Sequence, residues 1–305
     1  NAAHLVNAIS FAVAQLLIAG VNLYLLATIV EALLGWQMWV SLLVAGIIVL
    51  SYITLGGLSA AIYNEVLQFF VIIAALAPLT IIGLNRVGGW SGLKDAVAQE
   101  SHFHTWPGTD ISGFENPVWS VIGIVFGLGF VLSFGYWTTN FVEVQRVMAS
   151  KDMNSARRAP IIGTFPKMFI PFIIIIPGII AGVLVPEIAK AKASGGSADY
   201  NNALLYLMSD LLPNGLLGVA IAGMLAAFMA GMAANISAFN TVFSYDIWQE
   251  YVVKERDDAY YIRIGRIMTV VATVVAIFTS FLAASYENAM SYLQTLFGFF
   301  NAPLF

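Results

Sequence analysis

Residues 160–180 read PIIGTFPKMFIPFIIIIPGII. The run is long enough to cross a bilayer, because a helix of ~20 apolar residues spans the ~30 Å hydrocarbon core. Pro166, Pro171 and Pro177 interrupt it, and it carries one charge, Lys167. A lysine at the bilayer centre costs ~2.5–3.5 kcal/mol on insertion scales. Each proline removes a backbone donor and frees the carbonyl one turn earlier. Two readings stay open. A helix starting near Pro160 places Lys167 about 10 Å in, shallow enough for its side chain to snorkel to the interface. Alternatively, the freed carbonyls and the lysine form a polar patch that faces the protein interior, with Glu65 as a candidate counter-charge.

The rest of the chain puts this run in a membrane. Of its 305 residues 60% are hydrophobic and 10% charged, where a soluble domain carries about 25% charged residues. The mean hydropathy is +0.85. One soluble core cannot hide so much apolar surface. A net charge of -4 gives no electrostatic case for a nucleic-acid partner. The absence of cysteine excludes disulfides and thiolate sites. The first residues, NAAHLVNAIS, lie almost inside one apolar segment and the last, FGFFNAPLF, inside another. Residues 1–305 are therefore expected to be part of one transmembrane domain, cut at both ends.

Eight segments have spanning length: A (5–33), B (37–56), C (62–85), D (117–145), E (160–186), F (213–247), G (265–284) and H (287–305). The alternation of a membrane β-barrel is absent, so the fold class is all-α integral membrane. Thirteen Lys and Arg orient the spans. Loops D–E and F–G hold eight of them, and the loops on the opposite side hold Arg86, Lys94, Lys190 and Lys192. The positive-inside rule places D–E and F–G in the cytoplasm. Loop C–D is then external, with His102 and His104 read as part of a solvated loop. Loop E–F is external too, and its SADYNNALLYLMSDLLP is expected to contain a short amphipathic helix.

Two more spans carry polar clusters. Span D has Gly123, Gly127, Gly129 and Gly135, then Ser133, Tyr136, Trp137, Thr138, Thr139 and Asn140. Glycines allow close helix contact, and an unwound helix exposes backbone groups that can bind a solute or ion. An interfacial belt of Tyr and Trp is the alternative. Span F is dominated by small residues from Gly218 to Ala234, then carries Asn235, Ser237, Asn240, Thr241 and Ser244. Its 34 residues make about 50 Å, more than the apolar core needs. Tight packing with polar groups near the interface explains span F equally well. No nucleophile–base pair or metal-ligand cluster appears within the spans, so a membrane enzyme is the least supported class.

Several stretches together resemble the sodium:solute symporter family, which includes the sodium/glucose and sodium/galactose cotransporters. They are SYITLGGLSAAIYNEVLQFF (51–70), YWTTNFVEVQRVMASKDMNSA (136–156), FPKMFIPFIIIIPGII (165–180), NTVFSYDIWQEY (240–251) and the IGR of span G. The resemblance implies an inverted-repeat fold of five plus five helices around a midplane site. About eight spans, the third to tenth core helices, would be present. It also implies roles. Lys167, 21 residues after Arg146, takes the position of a sugar-contacting lysine. Gln294, in SYLQ, matches a sugar-binding glutamine, and Tyr136 matches the tyrosine that stacks on the sugar and closes the inner gate. Ser133 and Ser291 replace an asparagine and a second glutamine, and Trp137 adjoins this set. Glu65 replaces an aspartate near the ion exit path.

The main departure is in span F. Counting back from Asp246, the family's two adjacent sodium-binding serines fall on Ala230 and Gly231, which have no hydroxyl. A carbonyl, such as that of Ala227, and the amide of Asn235 are the oxygens left to help hold an ion. Weak sodium dependence is therefore expected, with protons sensed through Glu65 as the replacement. The function expected is a secondary transporter of a small polar solute, a sugar or polyol, in the cell membrane. It needs no cofactor beyond Na+ or H+ as coupling ion, and its oligomeric state is left open. The alternatives are a proton-coupled or uncoupled organic-anion carrier and a transporter-like membrane sensor.

Overall fold

The computed structural model describes residues 2–97, 134–194, 200–286 and 288–304, with Ile122, Phe126, Gly127, Gly129 and Phe130 between the first two stretches. Among these residues every regular element is helical. The order begins α1 (Ala2–Leu34), α2 (Met38–Arg86) and α3 (Gly89–Ala96). Next come α4 (Tyr136–Thr139), α5 (Phe141–Met148), α6 (Met153–Leu184), α7 (Pro186–Ser194) and α8 (Ala203–Leu211). Then α9 (Asn214–Thr241) runs on into a π-helical segment, Val242–Val252, followed by α10 (Asp258–Ala284) and α11 (Ala289–Leu304).

Five of these helices are long and apolar enough to cross a membrane: α1, α2, α6, α9 with its π-helical continuation, and α10. They account for six of the eight expected spans, because α2 holds both B and C. Span D enters the description at Phe134 apart from the few residues named above, and span H is the 16-residue α11. Gly123, Ser133 and the His102–His104 pair lie outside the described residues.

α2 is two spans because it folds back at Gly57. That residue has φ 59° and ψ -157°, a combination that glycine adopts without a Cβ penalty. Neighbours on both sides establish the reversal. Before the turn, Gly46 faces Thr273 and Ile277 of α10, whereas Ile53 shares a cavity with Gly265 and Thr269, nearer the start of α10. After it, Ala75 meets Gly223 near the start of α9, whereas Leu58 shares that cavity with Ser237 and Thr241, near its end. A straight 49-residue helix would be about 73 Å long and could not return to the opposite end of α9.

The same contacts assign the two ends of the bundle. At one end lie the Gly57 turn, Arg146, the start of α10 and the start of α1, where His4 Nδ1 is 3.3 Å from the Tyr251 hydroxyl. This end gathers the two loops that hold most of the basic residues. At the other end Ile29, Leu79, Leu93, Ile180, Met208 and Met224 form a buried cluster. The amphipathic helix expected in loop E–F is α8, which buries Leu205, Leu207 and Met208 there. A central core joins α1, the first arm of α2, α9 and α10 through Leu23, Leu42, Val49, Met232, Ile236 and Ala276. α11 packs on α1 through Val21, Tyr292 and Leu296.

α6 starts at Met153, earlier than the expected start near Pro160. Asp152 caps it: its carboxylate accepts from the Ser155 amide at 2.6 Å, satisfying a donor that a helix start leaves unpaired. That backbone bond holds the Asp152 carboxyl below the usual carboxylate range. The helix then continues through Pro160, Pro166, Pro171 and Pro177. One freed carbonyl, Ile173 O, four residues before Pro177, lies 3.4 Å from the Thr80 hydroxyl of α2, which also donates to the Leu76 carbonyl at the shorter distance of 2.9 Å. The first half of α6 exposes Ile161, Phe165 and Phe169.

Candidate functional site

Lys167 lies in that exposed half of α6, and its ammonium sits 4.5 Å from the centroid of the Trp137 ring. An ammonium over an indole face is attracted by the ring quadrupole, about 0.5–1 kcal/mol where exposed and more when desolvated. Pro171 stands four residues later and leaves the Lys167 carbonyl without its helical donor. The positive charge and the freed acceptor therefore belong to one residue. Trp137 is carried by α4, whose first residue is Tyr136, and α4 stops at Asn140, which has non-helical backbone angles. The Asn140 side chain accepts from the Val142 amide at 3.0 Å and starts α5. The interruption of span D thus falls within its polar stretch.

Glu65 takes a different partner from the one expected. Its carboxylate is engaged by the guanidinium of Arg146, Nε at 2.9 Å from Oε2 and Nη2 on Oε1. The fork of an arginine matches a carboxylate with two parallel bonds, which one ammonium cannot do. Arg146 is on α5, and the adjacent Gln145 donates to the Thr241 hydroxyl at 3.0 Å. Together these bonds tie α5 to α2 on one side and α9 on the other.

Ala227, Ala230 and Gly231 are half-buried on α9. Gly231 faces α1 so closely that a Cβ there would lie 2.5 Å from the side-chain oxygen of Asn22. The Asn22 amide nitrogen donates to the Ile18 carbonyl at 3.0 Å, which leaves its oxygen turned toward Gly231. Asn235, 8% exposed, donates to the Gly231 carbonyl at 2.7 Å. Ala230 and Gly231 have no hydroxyl, but an oxygen reaches this spot from another helix. Asn22 is not among the residues that the sequence motifs single out, although an amide inside an apolar span is a recognisable signal. Among the described residues no group of three or more His, Asp or Glu could hold a metal ion, so a cation at this spot would rely on neutral oxygens.

Ser291 and Gln294 are exposed on α11, off the face that buries Ala289, Tyr292 and Leu296. The structure therefore brings Lys167 to Trp137, Glu65 to Arg146, and Asn22 and Asn235 to Gly231, and leaves Ser291 and Gln294 on an open helix face.

Comparison with known proteins gives the family and the fold. The sequence model of the sodium:solute symporter family matches residues 2–305. A sodium/mannose cotransporter of Bos taurus is 30% identical over 276 residues, covering 84% of this chain and 46% of that protein. A sodium/glucose cotransporter of Vibrio parahaemolyticus is 27% identical over 292 residues, covering 90% of this chain and 53% of that protein. The chain thus spans about half the length of the curated relatives it matches. A solved structure of a substrate-bound, outward-open Na+-coupled sialic acid symporter superposes with a TM-score of 0.75 at 17% identity, covering 99% of this chain and 63% of that one. This likeness shows the fold, the inverted-repeat architecture of sodium-coupled symporters.

Proposed function

The chain belongs to the sodium:solute symporter family, and from that premise we propose that it forms the membrane core of a secondary transporter that moves a sugar or polyol by alternating access, coupled to sodium. The observation that carries the solute reading is Lys167 held against Trp137. An ammonium donates to hydroxyl oxygens, and an indole face packs on the C–H face of a sugar ring. Tyr136, Ser133, Ser291 and Gln294 complete the proposed solute set. The relatives named as sodium/mannose and sodium/glucose cotransporters support both the solute class and the ion.

Sodium is the preferred ion despite the missing hydroxyls. Sodium is a hard cation that takes oxygen ligands, and Asn22 brings one to Gly231 from α1. In this reading Asn22 and the carbonyls near Ala227 and Ala230 take over the role that serine hydroxyls play in the sugar symporters. Glu65 favours sodium over protons as well, because its carboxylate must first leave Arg146 before it can exchange an ion. The test is uptake of radiolabelled D-mannose, D-glucose and myo-inositol by proteoliposomes of the full-length protein, with sodium or potassium outside and with or without a pH gradient. Sodium-stimulated uptake of one of them is expected. Uptake driven only by the pH gradient would restore Glu65 as the coupling group, and uptake of an organic anion instead would favour the anion-carrier reading.

A further inference from the structure

The start of α10 carries two exposed arginines, Arg263 and Arg266. Among the described residues the ion pairs are His4–Asp246 and Arg146–Glu65, so neither arginine meets a carboxylate. They stand three residues apart and therefore share one face of the helix. Besides the other arginine, the positions three and four residues to either side of each hold Ala259, Tyr260, Ile262, Ile267, Thr269 and Val270. None of these is acidic. Asp257 and Asp258 lie at the very start of α10, more than a turn before Arg263. Like charges at this spacing repel, and no neighbour along the helix offsets them.

Their depth narrows the partner. At this end Trp248 Nε1 donates to the Tyr260 hydroxyl at 3.2 Å, and the rings of Tyr245 and Tyr261 lie 5.8 Å apart. Tyr and Trp gather at the membrane–water interface. Arg263 and Arg266 follow Tyr260 by three and six residues, about 5 and 9 Å further along the helix. Beyond them the same side of α10 is apolar and exposed, at Ile267, Val270, Val274, Phe278 and Phe281. The opposite side is buried at Gly265, Thr269, Ala272, Ala276 and Ala283. A phosphate suits the two guanidiniums, because each offers a fork of N–H donors that matches its oxygens. The apolar stripe next to them suits an acyl chain, which a free phosphate lacks. Arg266 also lines a cavity of about 280 Å³ beside the α2 turn, together with the exposed Leu55 and Ile262, which leaves space beside this residue for a headgroup. We propose that Arg263 and Arg266 bind the headgroup of an anionic phospholipid from the leaflet on the side of the basic loops, with an acyl chain along the exposed stripe of α10. With the basic loops in the cytoplasm, this is the leaflet that carries anionic lipid. The site is independent of the solute and of the coupling ion.

The test titrates purified full-length protein in detergent micelles with dioleoylphosphatidylglycerol, dioleoylphosphatidylcholine or inorganic phosphate, and follows binding by native mass spectrometry. The variants are Arg263→Gln, Arg266→Gln and, as a control from the other basic loop, Lys151→Gln. Glutamine is a good helix former and both arginines are exposed, so the variants fold, and thermal unfolding without lipid should match the parent. Saturable binding of phosphatidylglycerol is expected. Its affinity should fall about fivefold in each arginine variant, the scale of one basic residue beside an anionic lipid, and stay unchanged in Lys151→Gln. Equal losses in all three variants would reduce the effect to diffuse surface charge and overturn the site. No phosphatidylglycerol binding, or binding that no variant weakens, overturns it as well, and is the result expected if another segment of the full-length protein covers α10. Equally tight binding of phosphatidylcholine or of inorganic phosphate overturns an anionic lipid as the occupant.

Discussion

Arg146 and Glu65 form the described contact whose loss is most readily measured. Their side chains are 20% and 22% exposed, and the guanidinium meets the carboxylate through both Nε and Nη2. Exposed pairs contribute about 0–1 kcal/mol, whereas removing one partner of a fully buried pair costs about 3–5 kcal/mol. A pair four-fifths buried belongs between these limits, at about 2–3 kcal/mol for Glu65→Gln or Arg146→Met. Arg146→Lys keeps the charge but loses the fork, so it should cost roughly half as much. The double variant leaves no stranded charge and should lose less than the sum, with a coupling of about 1.5–2.5 kcal/mol.

The assay is a double-mutant cycle on the full-length protein in micelles, read by denaturant unfolding. A coupling below about 0.5 kcal/mol would mean that the pair contributes no more than a surface contact, and the burial argument would be wrong. Uptake gives a second readout. A clamp predicts that Glu65→Gln alters activity only as far as it alters stability. A pH dependence of uptake that vanishes in Glu65→Gln while stability holds would return Glu65 to an ion-coupling role.

Lys167→Ala should weaken solute affinity about ten- to hundredfold with expression intact, the scale of one charge-assisted hydrogen bond; normal affinity in solute binding would reduce Lys167 to a snorkelling residue. Gly231→Ser should be poorly tolerated alone, because its Cβ would meet Asn22 at 2.5 Å; Asn22→Ala should lower apparent sodium affinity in uptake assays, Ala230→Ser should raise it, and no change in either would place the ion site elsewhere. Gly223→Ala should destabilise by about 1–3 kcal/mol by overpacking, although alanine normally favours a helix, since its Cβ would lie 2.5 Å from that of Ala75; Ala75→Gly should partly rescue it in thermal unfolding. The chain has no cysteine, so single cysteines at Lys151 and Lys94 report topology directly; they should label from opposite sides of the membrane, and labelling from one side would undo the span count.

The sequence by itself determined that this is a helical membrane protein, where most of its spans lie, and which loops share a side. These follow from local quantities: a bilayer selects segments by length and apolarity one at a time, and basic residues orient them by count. Family membership was legible for a similar reason, because motifs such as SYITLGGLSAAIYNEVLQFF carry it in their residue order. Partnerships were not legible. Lys167 and Arg146 were both available cations for Glu65, and only the approach of α5 to α2 decided for Arg146. The hydroxyls missing at Ala230 and Gly231 are visible in the sequence, but the Asn22 oxygen that reaches the spot comes from a helix some 200 residues earlier. The reversal at Gly57 was expected as an ordinary loop between two spans. Its tightness brings Thr54, Gln145 and Ser244 around one cavity. Contacts between residues so far apart in the chain depend on how the helices pack, and packing is a property of the assembled bundle rather than of any one segment.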